Sequence, residues 1–300
     1  MSKAKAAELE LKLEPAPFGF YLRGVGGRAT AEVATVKDFG IVGQSLKNVQ
    51  FLVGGSDAGN GLIGRNLLAM ADTEFDLANG SVKLISPHGC EKTAMAYWAA
   101  GKPFFTVALV ELSSSDRQFN LNITINGAKI AATLDSGAPM SLISRSAAQK
   151  AGIDLNGPGV EKLNDLGGLG RRLTGGWSVP VVNVTIGDEQ ILKSRLVVID
   201  SEIIGGIDSP DMLIGADFIL AHHIYVARRQ RMIYFTYSGG KPFLTPGKTP
   251  KMGTSVLTPL APNMKRVVAI GASEPKTAAD FARRGNARLT SKRSPEPSPT

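Results

Sequence analysis

The residues best suited to chemistry lie in one string, Ala132-Thr133-Leu134-Asp135-Ser136-Gly137-Ala138. Asp135 ends an apolar run and is flanked by Leu134 and Ala138. A carboxylate there is costly to bury unless it is paired or working, and the work of a carboxylate is acid–base work. Ser136 and Gly137 allow a tight turn directly after it. An ordinary Asp-Ser-Gly turn is the plain structural alternative. Few other chemistries are open. One cysteine, Cys90, excludes an internal disulfide and a Cys-based zinc site. Three histidines, His88, His222 and His223, leave little for a metal centre or a Ser-His-Asp triad. His88 and Cys90 stand without a second cysteine, and the adjacent His222 and His223 point different ways. No cofactor and no metal is expected. A P-loop is excluded, because Pro242 occupies the position that requires its first glycine.

The elements that must position Asp135 read as strands with turns. Phe119 to Ile125 alternates apolar and polar residues, Asn126-Gly127 is a hairpin signal, and Ala128 to Leu134 returns. Further strands are expected at Val179–Ile186, Arg195–Ile199 and Met232–Tyr237. Helices are expected to be few and short, at Ser144–Ala151 and Ala216–Ala221. The two glycosylation-like sequons at Asn122 and Asn183 fall inside expected strands.

Composition agrees with a turn-rich globular body: 43% hydrophobic, 20% charged, only 6% aromatic and 34 glycines in 300 residues. No window approaches the length of apolar sequence that crosses a membrane. The N-terminal residues are charged and show no apolar signal-peptide core, which leaves the compartment open. The net charge of +8 belongs to residues 241–300, which hold 11 Lys/Arg against 3 Asp/Glu and 9 of the 17 prolines. That segment is expected to be a flexible, solvated tail with one short helix over 277–289, and no nucleic-acid partner is expected.

The body repeats itself. Gly61-Leu-Ile-Gly-Arg-Asn-Leu-Leu-Ala69 aligns with Met212-Leu-Ile-Gly-Ala-Asp-Phe-Ile-Leu220 at an offset of 151 residues, and Phe75, Val82 and Leu84 then meet Val226, Ile233 and Phe235. Upstream, Gly24-Val-Gly-Gly27 aligns with Gly167-Gly-Leu-Gly170, and Ala6 to Leu13 echoes Ala147 to Leu155. Two copies of one β-rich unit are expected, over 1–96 and 104–240. The first copy lacks the part before Ser144, so the chain reads either as a truncated form of a longer protein or as one that evolved without that loop. Tyr97 and Trp98 are expected to close the first copy's core, Cys90 to be a small packed residue, and Phe18, Phe20 and Tyr21 to be exposed.

The string at Asp135, with Leu213-Ile214-Gly215 downstream and glycine-rich hairpins between, resembles the retropepsin-like aspartic proteases, in particular the bacterial two-domain, retroviral-type enzymes. The resemblance implies an all-β fold: two acid-protease lobes in tandem, each a closed, orthogonal β-barrel with short helices, plus the flexible tail. It implies an aspartic endopeptidase that cleaves a polypeptide substrate. Asp135 is then the catalytic carboxylate, Ser136, Gly137 and Ala138 complete its loop, and Leu213, Ile214 and Gly215 pack behind it. Gly168, Gly170 and Trp177 fall in the flap of the second lobe, and Gly26 and Gly27 in that of the first. In such enzymes two carboxylates face each other and share one proton. This chain departs from the pattern by having one Asp-Ser-Gly. Asp57, Asp72 and Asp76 do not occupy the place of a second one. A homodimer through the second lobe can supply Asp135 twice. The alternative is a non-catalytic module that keeps the peptide groove.

Overall fold

The computed structural model describes residues 1–41, 44–54, 62–64, 68, 70–111, 118–168, 173–200 and 210–243. Asp57, Gly170, the helix expected over 277–289 and the rest of the tail from residue 244 lie outside them.

Residues 1–96 begin with a helix, Lys3–Glu8. There follow β1 (Leu13–Pro15), β2 (Leu22–Gly24), β3 (Gly27–Ala29), β4 (Glu32–Ile41), β5 (Gln44–Val53), β6 (Asp72–Asp76) and β7 (Ser81–Ile85). The next part contains β8 (Phe105–Val110), β9 (Asn120–Ile125), β10 (Ala128–Leu134), β11 (Leu142–Ser144), a helix Arg145–Lys150, β12 (Glu161–Leu166), β13 (Thr174–Ile186) and β14 (Glu189–Ile199). It ends with β15 (Met212–Ile214), a helix Ala216–Leu220, β16 (His222–Ala227) and β17 (Met232–Tyr237). The fold is all-β in character, with three short α-helices and two single-turn 3-10 helices, Leu77–Asn79 and Tyr97–Ala99, among the described residues.

Six strands close on themselves. The order runs β13-β14-β11-β15-β10-β9, and β9 pairs back with β13 through Ile125↔Val184 and Ile123↔Ile186. Alternation builds this barrel, because successive side chains point to opposite faces. Val179 and Val181 are buried, whereas Pro180 between them is exposed and Val182 is 73% exposed. Ile123, Ile125, Ile130, Val179, Val184, Ile186, Val198 and Ile214 fill the interior. Each such side chain contributes about 1.5–3 kcal/mol when fully buried. The β9–β10 turn uses Asn126 and Gly127 in left-handed conformations, φ 49° and 86°. That is the geometry of a tight hairpin whose twist matches its strands.

β8 joins this barrel to a second layer. It pairs with β9 at its end and with β17 along its start, and the sheet continues β17-β16-β6-β7. Residues 1–96 thus contribute β6 and β7 to a sheet shared with β16 and β17. The remaining early strands form a separate three-stranded sheet, β1-β4-β5, and a β2–β3 hairpin. The sheet β1-β4-β5 has the order and antiparallel sense of β12-β13-β14. The helix Lys3–Glu8 is capped by the Ser2 hydroxyl as Arg145–Lys150 is by that of Ser144. The early sheet has little core of its own: Ala6, Ala34 and Val53 are buried, with Met1, Leu11 and Leu13 against them.

Several side chains take places the sequence did not indicate. Trp98 stacks on His223 with ring centroids 4.1 Å apart and donates to Thr236. Tyr97 and Trp98 therefore pack against β16 and β17, together with Ile85, Cys90, Met95 and Tyr225, rather than closing residues 1–96 by themselves. Cross-strand pairing of β6 with β16 brings these two regions together. β13 and β14 are longer than the apolar runs that signalled them, because their outer ends continue past the barrel. Phe18, Phe20 and Tyr21 are exposed.

Candidate active site

Asp135 stands one residue past the end of β10 and is half-buried. Local bonds shape its loop. Its carboxylate accepts from the Gly137 N–H at 2.9 Å, an Asx turn, and its carbonyl accepts from Ala138 N–H at 3.1 Å. Ser136 and Gly137 are exposed, and Ala138 is buried.

Tertiary bonds hold the loop in place. β10 lies parallel to β15, with Thr133 opposite Leu213 and Leu134 opposite Ile214. The Asp135 N–H donates to the Ile214 carbonyl at 2.9 Å, and the Ala216 N–H donates to the Ala138 carbonyl at 2.7 Å. Gly215 has to be a glycine. A Cβ there would stand 2.9 Å from the Ala138 carbonyl oxygen and closer still to the Met140 carbonyl. The close passage of the two backbones is what brings Leu213, Ile214 and Gly215 directly behind Asp135. On the far side of β10, Thr133 donates to the buried Asn120 side chain, and Leu134 N–H donates to the Phe119 carbonyl.

An apolar wall adjoins the loop. Ala138, Met140, Leu142, Val197, Ile199 and Leu213 form one buried cluster. Leu163 and Leu166 of β12 pack on it, and so does Val25, from the turn between β2 and β3. A Cβ added at Gly168 would meet the Val25 Cβ at 3.0 Å. The β2–β3 hairpin, which carries Gly26 and Gly27, therefore touches the end of the β12 arm. Trp177 stands opposite Lys162 of β12. It lies on β13, packs against the barrel core and carries the Arg145 guanidinium 4.6 Å above its ring. Arg145 also pairs with Asp200 at 2.7 Å.

Four carboxylates of residues 1–96 have partners of their own. Asp38 pairs with Lys47 and Ser45, which hold its carboxyl below the usual range. Asp72 accepts from the Tyr225 hydroxyl and the Arg228 N–H, and burial raises its pKa. Asp76 accepts from Asn79. Glu74 is fully buried and is bonded to Lys83, Tyr97 and His223. Burial pushes the Glu74 carboxyl up, but these three partners outweigh it and hold it below its ordinary value. His222 is buried between the Phe218 carbonyl and Glu189. No cluster of three or more metal-binding side chains occurs among the described residues, and no described helix is long and apolar enough to cross a membrane.

Two residues that hold the site carried no assignment in the sequence. Ser141 and Asp217 are both buried, and they bond to each other between the Asp135 loop and the 216–220 helix. The one available signal was an acidic residue inside the otherwise apolar run after Gly215.

The aspartyl protease family matches residues 121–218. A comparison with curated proteins finds no match. Among solved structures the chain is similar to a retropepsin-like aspartic protease from Rickettsia conorii, at 18% identity over 45% of this chain and 90% of that one, with a TM-score of 0.30. It is also similar to the retroviral protease-like domain of Ddi1 from Leishmania major, at 19% identity over 44% of this chain and 98% of that one, TM-score 0.27. EIAV protease complexed with the inhibitor HBY-793 is similar at 22% identity over 35% and 88%, TM-score 0.26. The match begins in β9, just before the Asp135 strand, and ends in the helix after Gly215. Over residues 121–218, which hold both the Asp135 loop and the Leu213-Ile214-Gly215 strand, this chain is similar to the aspartyl protease family.

Proposed function

We propose that the chain is an aspartic endopeptidase with Asp135 as a catalytic carboxylate. The observation that carries this reading is the position of Asp135: a half-buried carboxylate at a strand end, in a loop bonded rigidly to β15, beside an apolar wall. In this reading a polypeptide lies along the wall with an apolar side chain against Leu142 and Leu213. Asp135 and a second carboxylate share one proton, since like charges in contact cannot both ionise. The ionised partner draws the proton from a water that attacks the peptide carbonyl, and the protonated one donates to the oxyanion that forms. The glycine-rich arm after β12 and the β2–β3 hairpin act as covers that exclude solvent. A second copy of this chain can supply the other carboxylate by bringing its own Asp135.

The two-lobe reading has support in the register of β6 on β16. Thr73, Glu74 and Phe75 pair with Val226, Tyr225 and Ile224. The 151-residue sequence offset equates those three partners with Phe75, Glu74 and Thr73. The pairing therefore maps onto itself when the copies are exchanged, as a twofold interface does. We read 1–96 and 104–240 as two lobes packed about that axis, with 241–300 as a tail.

One observation favours a second reading, a non-catalytic peptide-binding module. Asp38, Asp72, Glu74 and Asp76 are committed to other partners. A peptide-cleavage assay across acid and neutral pH, on the chain and on Asp135→Asn, separates the two. Cleavage that peaks in acid and disappears in the variant supports the endopeptidase. Peptide binding without cleavage at any pH supports the module. Cleavage that survives Asp135→Asn would overturn the assignment of Asp135.

A further inference from the structure

We infer that Asp217 is a positioning residue for the site, acting as an ionised carboxylate through Ser141; this rests on the proposed role of Asp135. The bonds leave little choice of direction. The Gly215 N–H can only donate, and it donates to the Ser141 Oγ at 3.0 Å. The Ser141 hydroxyl proton must then go elsewhere, and it goes to Asp217 Oδ1 at 2.7 Å. Asp217 Oδ2 accepts the Ser141 N–H at 3.0 Å, and Oδ1 also accepts the Phe218 N–H at 2.9 Å. Donors thus converge on both oxygens of a side chain that is 5% exposed.

The pair fastens two backbones. Ser141 lies in the segment after the Asp135 loop and Gly215 in the segment behind it. The Ala216-to-Ala138 and Asp135-to-Ile214 bonds close the same circuit. If the Asp217–Ser141 pair is released, the Gly215 turn loses its side-chain acceptor. The backbone that holds Asp135 through Ile214 is then less restrained.

An amide cannot replace the carboxylate. Asn has one oxygen and one NH2 group. With its oxygen toward Oδ1's partners, the NH2 meets the Ser141 N–H. With the orientation reversed, the NH2 meets the Phe218 N–H and the Ser141 hydroxyl proton loses its acceptor. Asp217→Asn, though isosteric, therefore breaks the circuit.

The test uses the full chain with Asp217→Asn, Ser141→Ala and the double variant. Each single change is expected to lower kcat about 10- to 100-fold with KM held within about threefold, since the loss is one of geometry at the reacting carboxylate. The double variant should be no worse than the poorer single one, because both break one circuit. Amide hydrogen exchange supplies a readout that needs no activity. The Gly215 and Ser141 amides should exchange at least about tenfold faster in Asp217→Asn, with those of β16 and β17 unchanged. Additive losses in the double variant, uniform acceleration of all amides, or Asp217→Asn with wild-type kcat and exchange would each overturn the inference. If the wild-type chain cleaves nothing, the endopeptidase reading fails on that result, and the exchange data still decide whether Asp217 holds the loop.

Discussion

Gly215 has no room for a side chain, and this gives a sharp expectation at the scale of a residue. Gly215→Ala places a methyl against the Ala138 and Met140 carbonyls. One of the two backbones has to shift. The cost expected of such overpacking is about 2–3 kcal/mol, read from the urea midpoint, and loop displacement should remove activity along with stability. The contrasting surface change Val182→Thr, at an exposed position of β13, should stay within about 0.5 kcal/mol of wild type. A Gly215→Ala protein of wild-type stability would show that the two segments are farther apart in solution than described here.

At the scale of elements, the seam between β6 and β16 depends on Glu74. Its partners hold the carboxyl below the value of an unfolded chain, about 4.3. A depressed carboxyl contributes stability that is complete above the unfolded value and is lost as pH falls through the folded one. The urea midpoint should therefore hold down to about pH 5 and drop below pH 4. Glu74→Gln removes the charge and leaves Lys83 and His223 without their buried partner. It should cost about 3 kcal/mol near neutrality and flatten that acid limb. A variant with an unchanged midpoint and an unchanged acid limb would count against the seam. The same seam shows why the sequence misplaced Trp98. Nothing local to Tyr97-Trp98 distinguishes a ring that packs on its own sheet from one that stacks on His223, more than a hundred residues away.

For the whole molecule, the expectation concerns the free edge of β16. In the full chain that edge is covered by β6. A chain that begins at residue 104 leaves it open, and an unpaired edge invites a second copy. That shortened chain should dimerise, measured by light scattering, and bring two Asp135 loops together. The full chain should dimerise only where β6 is displaced. A shortened chain that folds yet stays monomeric at high concentration would argue against the interface. Removal of residues 244–300 should leave the melting temperature within about 2 °C and take away most of the net positive charge.

The sequence by itself determined the Asp135 loop, the Asn126-Gly127 hairpin, the Leu213-Ile214-Gly215 strand, the short helices that start near Ser144 and at Ala216, and the tail's separate composition. Each is written in a run of fewer than about ten residues, where period, turn chemistry or motif spacing is enough. Only the tertiary structure decided the rest. The strands β4 and β5, the closure of β9 onto β13, the packing of Val25 against the apolar wall beside the loop, and the Asp217–Ser141 bond pair residues that are distant along the chain or lack strong alternation. The physical reason is that an apolar residue advertises burial but not its partner. A buried carboxylate such as Asp217 or Glu74 is likewise legible as an acid while its donors remain unknown. Those donors are chosen when the barrel closes and two distant backbones are forced to pass within van der Waals contact at Gly215.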